Sequence, residues 1–332
     1  MRIELAELRV IERETEIPLA ELVRIIEQAI ASAYIKHLTN KGFTAPKDDE
    51  VRVALDSKTG EISVYAAEYD EDGAVIGEAA VDLVDFGRIA ANAAKQVIMQ
   101  RLRDLSDDVV LGEFKGKEGQ LVSGIVQQGS NPRMVYIDLG EVEAVLPPEE
   151  QVPGEEYKHG TRLRVYVTTV SRGPKGPQVV VSRTHPGLVR KLFELEVPEL
   201  TDGTVEIVSV AREAGHRSKV AVRASIPGIN AKGTCIGEMG RRVRAVMDQL
   251  CDEKIDLIDY SPNLNVFVGN ALSPAKVTDV FPIGKDNKQV RVLVPDFQLS
   301  LAIGKDGQNA RLAAKLTGAK IDIQPDSVMD GD

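Results

Sequence analysis

One segment of this sequence occurs twice, and the repeat restricts the fold of the C-terminal part more than any other feature. IGEMGRRVRAVMDQLCDEKIDLI begins at Ile236, and IGKDGQNARLAAKLTGAKIDIQ begins at Ile303. The two glycines of each motif align at an offset of 67 residues. Self-similarity of this kind indicates two copies of one supersecondary unit.

Two strand-like runs precede each motif. They are TVEIVSVAR and KVAVRAS in the first copy, and KVTDVFPI and KQVRVLVP in the second. Short runs rich in β-branched residues are typical of strands. A helical pattern and a final strand follow each motif, so each copy is predicted to be a β-β-helix-IGxxG-helix-β unit that is large enough for a small core of its own.

The glycines of the repeated motif stand at the start of a predicted helix. A single G-x-x-G more commonly marks a turn or a helix cap, but this one occurs twice in register and precedes polar side chains. Glycine lets a phosphodiester backbone approach the main chain, and a helix N-terminus offers N–H groups and a positive dipole end to phosphate. We therefore interpret each motif as a clamp on the backbone of a single strand, which needs no aromatic stacking.

The residues proposed for these clamps are the motif residues and the polar residues that follow them. Val243, Val246, Met247 and Leu250 form an apolar stripe that is typical of a helix packed on a core, and the arginines on the other faces are either phosphate contacts or solvated surface charge. The candidate RNA-binding residues are Gly237, Glu238, Met239, Gly240, Arg241, Arg242 and Arg244 in the first copy, and Ile303, Gly304, Lys305, Asp306, Gly307, Gln308, Asn309 and Arg311 in the second.

The pattern of the N-terminal part of the chain predicts a separate α+β domain. Helical spacing of apolar residues predicts a helix over residues 1–38, with Pro18 in a first turn. Residues 51–56 and 61–67 are predicted as strands joined by the turn SKTG. Residues 85–104 are predicted to be helical again, with an apolar stripe made by Phe86, Ile89, Ala93, Val97 and Leu102.

Residues 118–184 consist of short β-rich runs separated by glycine and proline. The runs are QLVSGIVQQG, MVYIDLG, VEAVLP, TRLRVYVTTV and QVVVSR. Five strands with this punctuation predict a small closed barrel.

The negative charge of the chain is a local property. The net charge is −10 at pH 7, from 41 basic and 51 acidic residues. Residues 48–85 contain two basic and twelve acidic residues, a balance equal to that of the whole chain. This segment is either a solubilising surface or a docking face for a basic protein partner, and in both cases we expect it to repel RNA.

Several classes of protein are not expected. No apolar run is long enough for a membrane span, and the charged N-terminus does not resemble a signal peptide, so we expect a cytoplasmic protein with reduced thiols. Cys235 and Cys251 lack the further ligands of a zinc site. Ser182 and His185 lie three apart without a third group to orient them, and no nucleotide-binding or hydrolase motif is present. We expect no catalytic residues, no metal site and no cofactor.

Several stretches of the sequence resemble a known family. The paired motifs are similar to KH domains of the bacterial type, and residues 118–184 resemble an S1 domain, which is a variant of the oligonucleotide-binding barrel. Long blocks such as EAVLPPEEQVPGEEY, SRTHPGLVRKLFELEVPEL and LSLAIGKDGQNARLAAKLTGAKIDI resemble the NusA family of bacterial transcription factors over essentially the whole chain. The resemblance implies a multidomain α+β protein with an N-terminal α+β domain, an S1-type barrel and two tandem type II KH domains.

The domain boundaries expected from this resemblance follow the composition shifts. They are residues 1–104 for an RNA polymerase-binding domain, 105–117 for a helical connector, 118–184 for S1, 185–261 for the first KH domain and 262–332 for the second.

The resemblance also implies partners and activity. Proteins of this family are not enzymes; they bind the RNA polymerase core through the N-terminal domain and nascent single-stranded RNA, including ribosomal RNA leader signals, through S1 and the KH domains. They modulate pausing, intrinsic termination and, with other Nus factors, antitermination. We expect a monomer with no membrane partner. The chain stops soon after the second KH unit, as in the actinobacterial branch, so we expect no C-terminal acidic repeats and an RNA surface open by default.

Two other functions are compatible with S1 and KH domains. S1 and KH domains also occur in free-standing or ribosome-associated RNA-binding proteins, which have no need of an acidic N-terminal domain. They occur in phosphorolytic nucleases too, whose catalytic domains no segment here is long enough to hold. Within the family pattern, Glu238 places an acid where KH loops often carry a base, and we expect it to weaken the first clamp while neighbouring arginines compensate.

Overall fold

The computed structural model describes residues 6, 8–9, 12–13, 18–41, 50–70, 75–81, 86–129, 131–173, 176–283 and 288–327. The chain divides into two compact units. The first comprises residues 1–110 with 174–176, and the second comprises residues 111–173 with 177–332.

Helix α1 (Leu19–Asn40) lies on the core of the first unit. It follows Pro18 and ends slightly beyond residue 38, where the prediction ended. Of the residues before Pro18, those that the structure describes, 6, 8–9 and 12–13, are also helical, and the others lie outside the described part. One buried side chain recurs every four residues along α1, as expected for a helix with one apolar face: Leu22, Ile26, Ile30 and Tyr34.

An antiparallel sheet of three strands packs against this helix. Its strands are β1 (Val51–Leu55), β2 (Ile62–Tyr69) and β3 (Val75–Ala80), in that order. β1 and β2 confirm the predicted hairpin, and the Asp56 side chain accepts hydrogen bonds from the N–H groups of Lys58 and Thr59 in the turn. β3 was not predicted, because VIGEAA lacks the alternation of a half-buried strand.

Helix α2 (Gly87–Lys115) covers both the predicted helix 85–104 and most of the predicted helical connector. Its buried face is formed by Ala90 and Ala94 together with the preceding Phe86, whereas Ile89 is 37% exposed. The predicted stripe is therefore wrong at Ile89. Phe86 is fixed by an edge-on contact with Tyr34, with ring centroids 5.1 Å apart. The side chains of Val97 and Leu102 lie outside the described part.

The second unit begins with a closed five-stranded barrel, as the sequence predicted. Its strands are β4 (Leu121–Gln127), β5 (Val135–Asp138), β6 (Glu143–Leu146), β7 (Arg162–Gly173) and β8 (Gly176–Ser182), closed in the order β4-β5-β6-β8-β7. Alternate side chains fill the interior, as expected for a small barrel; they include Val126, Ile137, Ala144, Val165, Val167, Val179 and Val181.

The first repeat follows the barrel as an αββααβ unit. Its elements are α3 (Pro186–Glu196), the short α4 (Pro198–Thr201), β9 (Val205–Glu213), β10 (Arg217–Ala224), α5 (Ala231–Ile236), α6 (Arg241–Asp248) and β11 (Lys254–Asp259). β10 is the central strand, antiparallel to β9 and parallel to β11.

The second repeat has the same order of elements. They are α7 (Leu264–Ala271), β12 (Asp279–Ile283), β13 (Gln289–Val294), α8 (Leu299–Ile303), α9 (Gln308–Thr317) and β14 (Lys320–Pro325). β13 is again central, antiparallel to β12 and parallel to β14. The two repeats confirm the predicted pair of type II KH domains.

The two repeats do not have fully separate cores, in contrast to the sequence expectation. Ala211, Ala221 and Ile258 of the first repeat belong to the same buried apolar cluster as Val292 and Leu312 of the second. Two polar contacts supplement this cluster. The Ser209 hydroxyl donates to the Leu316 carbonyl at 3.1 Å, and the Lys219 ammonium donates to the Ser273 carbonyl at 2.8 Å. The repeats are therefore held together by continuous apolar packing.

Candidate nucleic-acid interface

The two glycine loops have almost the same backbone conformation. In the first loop φ and ψ are 72° and 171° at Gly237, and 54° and 21° at Met239. In the second they are 77° and 170° at Gly304, and 53° and 26° at Asp306. The repeated sequence therefore builds the same loop twice, including a non-glycine residue in the left-handed region, which is uncommon outside functional or tightly constrained turns.

Each loop requires glycine at its first position. A Cβ on Gly237 would lie 2.7 Å from the Arg242 side chain, and a Cβ on Gly304 would lie 2.8 Å from the backbone nitrogen of Asn309. The combination of positive φ with ψ near 170° is also nearly exclusive to glycine. The loop conformation therefore requires these glycines, which explains why they recur in both copies.

The loops deliver the chain into the N-termini of α6 and α9. Gly240 and Gly307 are the residues before these helices, both with φ near 75°, and neither helix has a side-chain cap hydrogen bond. The first turn of each helix is therefore open to an external acceptor, as a phosphate clamp requires.

An arginine supports each loop from the following helix. The Arg244 guanidinium donates to the Met239 carbonyl at 3.3 Å, and the Arg311 guanidinium donates to the Asp306 carbonyl at 3.2 Å. Both arginines are exposed, so each retains N–H groups that face solvent. Each of these two candidates therefore combines a loop-supporting contact with an exposed guanidinium group.

Two other candidates are directed into the protein. Asn309 is only 3% exposed, and its amide donates to the carbonyls of Ala302 and Leu272 at 2.9 and 3.0 Å. At the equivalent position in the first copy, Arg242 donates to the Thr234 carbonyl at 2.9 Å and pairs with Glu199 at 3.0 Å. Both side chains attach the loop to the helix before it, so the structure assigns them a supporting position rather than a solvent-facing one.

The remaining candidates surround the loops at the surface. Glu238, Arg241, Lys305 and Asp306 are exposed, and Met239 is 89% exposed. A ligand backbone at the first loop would meet an acid, Glu238, whereas at the second it would meet Lys305 in the same position.

A groove of about 730 Å³ borders the second loop. Besides Lys305 and Arg311, it is lined by Arg217 and Lys254 of the first repeat. The sequence analysis did not include these two residues among the candidates. Their position shows that the first repeat contributes cationic side chains to the surroundings of the second loop.

Three exposed apolar side chains also precede the second loop, and of these only Ile303 was among the predicted candidates. Phe297 is 82% exposed, and Leu301 and Ile303 are partly exposed on α8. The residue at the corresponding position of the first copy is Asn230, so the aromatic is specific to the second copy. An exposed phenyl ring offers a base a stacking surface. The presence of Phe in the second copy where the first has Asn could have indicated this residue from the sequence alone.

Glu213 connects the first repeat to the second loop. One of its carboxylate oxygens accepts from Arg311 Nε at 2.7 Å, and the other accepts from Gln308 Nε2 at 2.8 Å. The hydrogen bond from Arg311 lowers the pKa of Glu213 despite its partial burial. Gln308 and Arg311 are therefore partnered in the protein itself.

The geometry does not form a catalytic or metal centre in the described residues. Ser182 is buried; its hydroxyl donates to the Glu150 carboxylate and accepts from the N–H groups of Thr184 and His185. Within these residues, no group of three or more His, Cys, Asp or Glu side chains could hold a metal ion. Nor is any helix of the described chain long and apolar enough to cross a membrane.

Comparisons with known proteins agree with this architecture. Family models described as the NusA N-terminal domain, the NusA-like first KH domain and the NusA-like second KH domain match residues 5–69 and 66–108, 183–260, and 264–330. The chain is 52% identical to the Mycobacterium tuberculosis (strain H37Rv) protein described as transcription termination/antitermination protein NusA, over 98% of this chain and 94% of the relative. The chain belongs to the NusA family.

More distant NusA proteins match over similar lengths. The Bacillus subtilis protein is 46% identical over 96% of this chain and 90% of its own length. The Thermus thermophilus protein is 36% identical over 96% of this chain and 89% of its own length. The similarity therefore extends across the barrel and both KH repeats, and is not confined to the glycine motifs.

Proposed function

We propose that this chain is a non-catalytic transcription elongation factor of the cytoplasm that connects RNA polymerase to the nascent transcript. The first unit binds the polymerase core, and the barrel with the two KH repeats binds emerging single-stranded RNA. Through this bridge the protein modulates pausing, intrinsic termination and, with other Nus factors, antitermination. Relatives that are similar over nearly the whole chain are described as transcription termination/antitermination proteins.

The main support for the proposed RNA binding is the duplicated glycine loop. Two loops with matching backbone angles open into two uncapped helix N-termini, and an arginine supports each loop from the following helix. Phosphate binding at such a site uses main-chain N–H groups and the helix dipole. The scarcity of aromatic residues, 4% of the chain, is compatible with this mode because stacking is not its main source of affinity.

The polymerase-binding part is supported by the separate character of the first unit. It has its own apolar core, matches the NusA N-terminal domain and contains the segment that accounts for the net negative charge. An acidic surface is poorly suited to RNA but suited to a basic protein partner.

The test measures both halves of the bridge. Immobilised full-length protein, residues 1–110 and residues 111–332 are each incubated with RNA polymerase core and, separately, with a short unstructured RNA. We expect the full chain to retain both ligands, residues 1–110 to retain polymerase only, and residues 111–332 to retain RNA only. If residues 1–110 and the full chain both fail to retain polymerase while RNA is bound, the protein is a free-standing RNA-binding protein and the proposal is wrong.

A further inference from the structure

Glu213 is placed where it competes with RNA. It ends strand β9 in the first repeat, yet its carboxylate is bound to Gln308 and Arg311 of the second. These are two of the polar residues that follow the second glycine loop. The carboxylate therefore occupies cationic and hydrogen-bonding groups that face the groove beside this loop.

At the first loop Glu199 pairs with Arg242, but the two positions that correspond to those Glu213 contacts at the second loop have no such partner in the described part of the chain. Among the described residues, no carboxylate forms an ion pair with Arg241 or Arg244, which correspond to Gln308 and Arg311. The two loops share a backbone conformation but differ in what holds the side chains around them. The first loop carries an acid, Glu238, beside these two arginines, and the second carries Lys305 beside Arg311, which is already paired.

We propose that Glu213 is an internal competitor that limits the affinity of the second loop for RNA phosphate. This inference rests on the proposed RNA-binding function of that loop. A phosphate that binds Arg311 Nε and Gln308 must replace the Glu213 carboxylate. A phosphate at the other N–H groups of Arg311 meets a charge that Glu213 already partly neutralises, so in both cases the net gain is smaller than that of a new ion pair. The arginine is more than half exposed in this pair, so water screens the interaction and a phosphate can displace the carboxylate.

The fold does not depend on this ion pair. The repeats share a buried apolar cluster and are joined by hydrogen bonds from Ser209 and Lys219 to backbone carbonyls. Replacing the carboxylate by an amide keeps the shape of the side chain and an oxygen that can accept from Arg311. Glu213→Gln therefore removes the charge with little disturbance of packing.

The experiment measures equilibrium binding of a short unstructured RNA by full-length variants over a range of salt concentrations. We expect E213Q to bind roughly two- to fivefold more tightly at low salt, the size of an exposed ion pair. Its affinity should also fall more steeply with salt, by up to about 0.7 in the logarithmic slope, because one more phosphate contact releases a counterion. E206Q is the matched control, because Glu206 lies on the same strand in an exposed ion pair with Arg223.

Two further variants separate the possible outcomes. In an R311Q background the effect of E213Q should vanish, because no arginine remains to be released. The inference is wrong if E213Q binds no more tightly than E206Q, or if its gain persists without Arg311. If K305D also leaves RNA binding unchanged, the second loop does not bind RNA and the proposed function is wrong for that loop. If K305D weakens binding while E213Q binds no more tightly than E206Q, the loop binds RNA and only the proposed role of Glu213 is wrong.

Discussion

Arg183 and Glu155 form a buried ion pair at the junction of the barrel and the first KH repeat. Their side chains are 2% and 4% exposed. The Arg183 guanidinium also donates to the Arg164 carbonyl in β7 at 2.9 Å and to the Gln249 carbonyl just after α6 at 2.8 Å. A single side chain therefore ties the barrel to the repeat that carries the first glycine loop.

Replacing Arg183 by Met should destabilise the second unit strongly. The change leaves the Glu155 carboxylate buried without its charge partner, and removing one partner of a buried pair costs about 3–5 kcal/mol. Chemical denaturation followed by circular dichroism checks this value. The exposed pair of Arg291 and Asp322 provides the control, because D322N should cost less than about 1 kcal/mol. Equal losses in R183M and D322N would contradict the assignment of Arg183 as a junction residue.

The same ion pair predicts loss of stability in acid. Burial raises the pKa of Glu155, but the hydrogen bonds and charge of Arg183 outweigh burial, so the pKa is lowered overall. A carboxyl group with a lower pKa in the folded state contributes stability above its unfolded pKa, and that contribution disappears as pH falls through the folded value. The free energy of unfolding should therefore decrease below about pH 4, and the decrease should be smaller in E155Q. An E155Q variant with the full acid dependence of the parent would show that other carboxyl groups are responsible.

The sequence predicted the architecture well because repetition and periodicity carry local information. The duplicated segment predicted the ββααβ order of both repeats, and the five β-rich runs predicted the closed barrel. The helices that open the repeats, α3 and α7, were not in the predicted unit. The same periodicity also contained an unused signal. Asn309 lies three and four residues before Leu312 and Ala313, which are buried on α9, so helical spacing alone places it on the inner face.

Other features were beyond the reach of sequence reasoning because they depend on long-range contacts. Glu213 lies 95 residues before Gln308, and nothing in either segment indicates that they meet. The shared core of the two repeats could not be anticipated either, since each repeat alone is consistent with its own core. A charged residue near a motif can contact a ligand or support the loop, and the sequence alone does not distinguish the two. Arg242 is an example, because its partners Thr234 and Glu199 lie within the protein.

Changing Lys305 to Asp should weaken RNA binding without unfolding the protein. Lys305 is exposed in the second loop, and an aspartate there would both remove a cation and repel phosphate. We expect affinity to fall roughly threefold to tenfold, the scale of one hydrogen bond with a net contribution of about 1 kcal/mol, with an unchanged thermal midpoint. K315D provides the control, because Lys315 is exposed at the far end of α9 and carries the same charge change. An equal loss in both variants would indicate general electrostatics and not a clamp.

RNA affinity should depend steeply on salt. Each phosphate neutralised on a single strand contributes about −0.7 to the slope of log K against log salt concentration. Two clamps with at least one phosphate each predict a slope of about −1.4 or steeper. Titrations at several chloride concentrations, with the sodium and potassium salts compared, give this slope directly. A slope near zero would mean that backbone phosphates contribute little and that base contacts, for example at the exposed Phe297 ring, dominate.

Gly304 and Gly318 provide a comparison that separates backbone strain from steric exclusion. Both have positive φ, 77° and 71°, but a Cβ on Gly304 would lie 2.8 Å from the Asn309 backbone nitrogen, whereas a Cβ on Gly318 meets no atom within 4 Å. Gly318→Ala should therefore cost about 1–2 kcal/mol, the penalty for a left-handed alanine. Gly304→Ala should cost more, since its ψ of 170° lies in a region that alanine avoids and its new methyl group displaces the start of α9.

Function should distinguish the two variants more sharply than stability does. G304A displaces the loop and the open helix N-terminus, so RNA affinity should fall along with the free energy of unfolding. G318A alters the end of α9, so RNA affinity should stay at the parent value once its small loss of stability is allowed for. Binding curves recorded well below both unfolding transitions test this separation. Retention of full RNA affinity in G304A would mean that the second loop does not need its observed conformation to bind RNA.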